Sequence, residues 1–86
     1  MDINQAVELI EEFLTEYRSR QGWNPREMRV LPSGDFPDNI KIWLNFGPGV
    51  TEDELEQLKK QPLDELHKRH PELEAFTLEV RIESMQ

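Results

Sequence analysis

The chain has 86 residues, 36% hydrophobic and 33% charged, a globular composition with room for one small domain and no second core. The absence of cysteine excludes disulfides, thiolate metal sites and cysteine nucleophiles. A net charge of −8 sets the chain against phosphate backbones and anionic membrane surfaces, which are bound through basic residues, and no stretch reaches the ~20 apolar residues of a membrane span.

The first element is a helix over about residues 3–20. Asp2 and Gln5 stand in capping-box positions. Behind them Ile3, Ala6, Val7, Ile10, Phe13, Leu14 and Tyr17 recur at helical spacing, with Glu8, Glu11, Glu12 and Thr15 on the other side. Arg18 and Arg20 suit the negative end of the helix dipole. Gly22 and the turn Asn24-Pro25 end it, and Trp23 is placed at the end of the core. Met28 to Leu31 reads as a short strand stopped by Pro32, and residues 33–38 are a loop of turn formers. Ile40, Ile42, Leu44 and Phe46 then alternate with Lys41, Trp43 and Asn45, a strand with one greasy face. The two strands make a hairpin.

Gly47-Pro48-Gly49 breaks the second strand. Thr51 and Glu54 form a second capping box, stapled by Val50 and Leu55. Leu55, Leu58 and Leu66 hold one helical phase across Pro62, so a single kinked helix over about 52–69 is favoured over two short ones, with Pro71 ending it. Phe76, Leu78, Val80 and Ile82 alternate with Thr77, Glu79, Arg81 and Glu83, a half-buried last strand. The predicted fold is α+β, an αββαβ two-layer sandwich. A three-stranded mixed sheet in the order 1-2-3 carries both helices on one face, with a right-handed crossover between strands two and three.

Few residues carry a chemistry. His67 and His70, three apart on the second helix, are the weak metal candidates, but a zinc site needs three or four ligands and no third is evident nearby. The glycines at 47 and 49 precede a helix start, yet Glu52, Asp53 and Glu54 already occupy its positive end, and no Gly-Lys-Ser/Thr follows. No carboxylate sits in an apolar setting that would tune it for acid–base work. Ser19, Ser33 and Ser84 lack a nucleophile-elbow context. The reading is no enzyme and no cofactor.

The open sheet face is more informative. If the middle strand is regular, Trp43 stands opposite the apolar row, on a face that it shares with Leu31, Thr77 and the stems of Arg29, Lys41 and Arg81. An aromatic among arginines is a common anchor of protein interfaces. The leading expectation is a cytoplasmic module that binds a protein partner or pairs as a homodimer through this face. The competing one is that the 33–38 loop covers Trp43, with Phe36 folded over it. A second functional reading is an acidic inhibitor or nucleic-acid mimic that blocks a basic site, using Glu8, Glu11, Glu12 and Glu16 or Glu52, Asp53 and Glu56. Residues 1–21 carry −3, 22–50 carry 0 and 51–86 carry −5, so the excess lies mainly on the two helices.

Residues 28–83 also present a pattern of motifs: Met28-Arg29-Val30 leading to Ser33-Gly34, the Ile40-Lys41-Ile42-Trp43-Leu44 strand, and a helix running into His70-Pro71 before Thr77–Ile82. In these the chain resembles the cytoplasmic C-terminal domain of cation diffusion facilitator transporters, over about two-thirds of its length. The resemblance implies the same fold, a dimer and, as a third reading, divalent-metal sensing. The chain departs at metal positions: Trp43 stands where the family strand often has His, Glu56 stands near a helix His, and Leu78-Glu79-Val80 contains none.

Overall fold

In a computed structural model, residues 1–21, 25–47 and 49–83 are described. The helix stop at Gly22, the turn position Asn24, the placing of Trp23, the middle of Gly47-Pro48-Gly49 and Ser84 lie outside them. Helix α1 spans Ile3–Gln21, strand β1 Glu27–Pro32, strand β2 Asn39–Asn45, helix α2 Glu52–Arg69 and strand β3 Thr77–Glu83. The sheet order is β1-β2-β3. β1 pairs antiparallel with β2 as a hairpin, and β3 pairs parallel with β2 across α2. This is the predicted α+β arrangement.

Both helix starts are built by their caps. The Gln5 N–H donates to Asp2 Oδ1 (2.8 Å) and the Asp2 N–H to Gln5 Oε1 (3.0 Å), so the box closes in both directions. At α2 the Glu54 N–H donates to Thr51 Oγ1 (3.2 Å), and Glu52, Asp53 and Glu54 fill the first turn, where the dipole favours acids. α2 runs unbroken across Pro62, whose ring is buried. The leucine phase therefore outweighs the one hydrogen bond that proline cannot donate.

The strand ends shift by about one residue from the sequence reading, with Phe46 just beyond β2, and two differences have a clear physical cause. β1 includes Pro32, opposite Ile40. The Ser33 N–H donates to the Asn39 carbonyl (2.8 Å), so the hairpin bonds fall on odd residues and the proline nitrogen faces off the outer edge, where no donor is required. A 3-10 helix, Pro71–Ala75, follows α2 and buries Leu73 completely. It reads as loop in the sequence because a lone leucine between two glutamates shows no period.

One core joins the elements. Ala6, Ile10, Phe13, Leu14 and Tyr17 of α1 meet Val30, Ile40, Ile42 and Leu44 of the sheet, with Leu66 and Leu73 from the α2 side. The even row of β2 is thus the inner face, and both helices cover that side.

Candidate interaction surface

The register builds the opposite face row by row. Leu31, Lys41 and Glu79 share one cross-strand row, Arg29, Trp43 and Arg81 the next, and Glu27, Asn45 and Glu83 the third. Trp43 is half-buried, flanked on both sides by guanidinium-bearing strands. The Arg29 guanidinium carbon lies 5.2 Å from the indole centroid, within cation–π reach. Leu31 is 50% exposed. Lys41, Arg29 and Arg81 are exposed as well. The structure therefore brings together Trp43, Leu31, Arg29, Lys41 and Arg81 on the side away from the core. The loop does not seal the indole with its own aromatic, since Phe36 is 62% exposed.

Three residues of this face were not singled out from the sequence: Glu27, Glu79 and Glu83. Each occupies an odd position in its strand, and the register sets Glu27 and Glu83 beside Asn45 and Glu79 beside Lys41. With Arg29, Lys41 and Arg81 they make a face of three acids and three bases, neutral in a chain of −8. Arg81 Nε lies 3.3 Å from Glu83 Oε1 and Arg29 Nη2 3.9 Å from Glu27 Oε2. Both arginines are exposed, so these pairs rearrange at little cost. Asn45, on the same face, is only 9% exposed. Its Oδ1 accepts from the Gly47 N–H (3.0 Å), so the side chain turns back to tie the strand end. Gly47 has φ +78°, a conformation that favours glycine; a Cβ there would fall 2.7 Å from Nε of the flexible Arg26 side chain, which has room to move aside.

The histidines sit elsewhere. His70 packs edge-on to Phe13, ring centroids 6.3 Å apart, with Nδ1 3.5 Å from Glu72. His67 is half-buried on α2. Among the described residues no group of three His, Cys, Asp or Glu side chains could hold a metal ion. Beside His70 the two helices are clasped: Glu65 accepts from Arg20 of α1 (3.1 Å) and from Arg69 (3.2 Å), and Arg20 and Arg69 also approach the Tyr17 and Phe13 rings. Burial raises the Tyr17 pKa, the nearby Glu65 charge raises it further, and Arg20 opposes both.

The acids of the second functional reading lie on the outer surfaces of the helices. Glu8, Glu11, Glu12 and Glu16 of α1 are all exposed, as are Glu52, Asp53 and Glu56 of α2. No helix among the described residues is long and apolar enough to cross a membrane. Comparison with family models, with curated proteins and with solved structures finds no match for this chain.

Proposed function

We propose that the protein is a non-enzymatic interaction module of the cytoplasm, and that it docks a protein partner on the open sheet face centred on Trp43. The observation that carries this reading is the Arg29–Trp43–Arg81 row on a face that neither helix covers. Tryptophan and arginine are the residue types that most often dominate interface energetics, because both bring large, rigid contact area together with polar groups. The neutrality of the face supports the reading too, since a partner approaching it meets little of the charge carried by the helices. The resemblance to the cytoplasmic domain of cation diffusion facilitators remains a proposal about kinship.

The test is Trp43→Ala. The circular dichroism spectrum and melting transition should stay close to those of the parent chain, and affinity for a co-purifying protein partner should fall at least tenfold. The Trp43 indole resonance of the parent chain should shift when that complex forms. Loss of the fold in the variant, or unchanged binding with an unmoved resonance, makes the face structural.

The exposed acids on both helices favour one alternative, a mimic that occupies a basic groove. Salt separates the two. Binding through carboxylates weakens steeply with ionic strength, whereas binding through an indole does not.

A further inference from the structure

A different surface, the free edge of β3, carries a second interaction. The Thr77 N–H donates to the Asp38 carbonyl (2.9 Å) and the Phe46 N–H to the Glu83 carbonyl (3.0 Å). The odd backbone groups of β3 therefore face β2, and those of Leu78, Val80 and Ile82 face outward. β3 is the last strand of the sheet, and no partner for these outward groups occurs among the described residues. Beneath the edge, Leu78, Val80 and Ile82 are half-buried, and a groove opens between Val80 and Ile82 on one side and Leu55, Glu56 and Lys59 of α2 on the other. An unpaired, partly apolar edge of this kind is a template for another strand.

The sequence of the edge selects the strand. We propose that β3 pairs antiparallel with β3 of a second copy of this chain about a two-fold axis at Val80, joining two three-stranded sheets into one. In this register Val80 meets Val80, and Leu78 meets Ile82, as the hydrogen-bonded pairs. All of these are residues whose backbone groups already point outward. Glu79 meets Arg81 of the second copy, and Arg81 meets its Glu79, as the close non-hydrogen-bonded pairs, with Cα atoms ~4.5 Å apart. Opposite charges so placed are favourable across a ladder and like charges are not. Sliding the register by two residues in one direction sets Glu79 against Glu79. Sliding it in the other sets Arg81 against Arg81 and Glu79 against Glu83. A slide of one residue turns the apolar row to the wrong face. Of these registers, only the one centred on Val80 satisfies both faces, and it pairs the strand over its whole length.

The same geometry limits the assembly to two. The pairing is isologous and consumes both β3 edges. The edges left over belong to β1, where Pro32 directs its donorless nitrogen outward. Because α2 runs antiparallel to its flanking strands, the acidic first turns of the two α2 helices fall at opposite ends of the seam and do not oppose each other. A seam one strand long is a small interface, so the dimer forms in the micromolar range or above.

The test uses the intact chain in sedimentation from about 10 µM to about 1 mM, the range suited to a small interface, together with residue-resolved amide exchange. The expected results are a monomer–dimer equilibrium and at least tenfold slower exchange of the Leu78, Val80 and Ile82 amides at the high concentration. Glu79→Arg and Arg81→Glu change exposed side chains and should leave the circular dichroism unchanged while weakening self-pairing at least tenfold. An equimolar mixture of the two variants should recover it as a heterodimer, because the two arginines of one copy then stand against the two glutamates of the other. Trp43→Ala should still dimerise, so failure of the Trp43 face and failure of the β3 edge are read separately. The proposal is overturned by a monomer throughout, by a dimer whose β3 amides gain no protection, or by a mixture that does not recover pairing.

Discussion

β2 and β3 offer the helices the same alternation of apolar and polar residues, yet they are covered unequally. Ile40 and Ile42 are 0% and 2% exposed, whereas Leu78, Val80 and Ile82 are only half-buried. β2 is the central strand and β3 an edge strand, and the helices on their common face contribute unequally. α1 buries Ala6, Ile10, Phe13, Leu14 and Tyr17, while α2, of almost the same length, buries Pro62 and Leu66. Strand pattern thus specifies which face turns inward, and position in the sheet together with the helix cover decides how much of that face leaves water. The α1 side is a closed core. The α2–β3 side is a margin with apolar surface to spare, which is where the proposed second strand would add.

Matched truncations measure that difference directly. Ile42→Ala removes the same atoms as Ile82→Ala, but from a fully enclosed site, and should cost about 3–4 kcal/mol by loss of transfer energy plus a cavity. Ile82→Ala should cost roughly half of that or less, because its surroundings are already partly wet. Denaturant titration of dilute protein reads both as midpoint shifts at constant m-value. Equal costs would abolish the distinction between core and margin.

A smaller effect sharpens the contrast between the helices. With so little buried surface, α2 depends on its cap, and Thr51→Ala should cost about 1 kcal/mol through the lost Glu54 N–H bond. The cost should appear as local opening. Native-state amide exchange is expected to speed up along α2 and to stay unchanged at Ile10 to Leu14 of α1. Equal acceleration in both helices would mean that the two halves open as one unit.

Much of this was legible in the sequence for reasons that hold residue by residue. Period-two alternation fixed the inner row of β2 and with it the outward placement of Trp43, and capping signals at Asp2 and Thr51 set both helix starts. The Arg29 and Arg81 neighbours of Trp43 were legible because they fall at the same parity. Glu79 and Glu83 share that parity, and Glu27 shares Arg29's; what no single strand contains is the register, which sets Glu79 beside Lys41 and both Glu27 and Glu83 beside Asn45. What lies over the indole was equally hidden. Loop closure by Phe36 and stacking by the Arg29 guanidinium are both compatible with the sequence, and side-chain packing chose the second. Leu73 was missed because a buried anchor in a single 3-10 turn has no periodic neighbours.

The smallest expected effect tests whether the clasp between α1 and α2 belongs to the closed side. Tyr17 is buried on α1, and desolvation together with the Glu65 charge raises its pKa above the ordinary value of 10.0. A group whose pKa is higher in the folded state binds its proton more tightly there. Its contribution to stability is whole below the unfolded value and is lost as pH rises through the folded one. Melting temperature should therefore decline above about pH 10 through ionisation of Tyr17. Lysines titrate in the same range, so the comparison is with Tyr17→Phe, which keeps the ring contact with Phe13 and should flatten that part of the decline. Glu65→Gln removes the smaller of the two raising influences, so it should shrink the decline by less than Tyr17→Phe does. A parent chain and a Tyr17→Phe variant with superimposable alkaline profiles would place the Tyr17 hydroxyl in water, and would assign this end of the α1–α2 seam to the open margin.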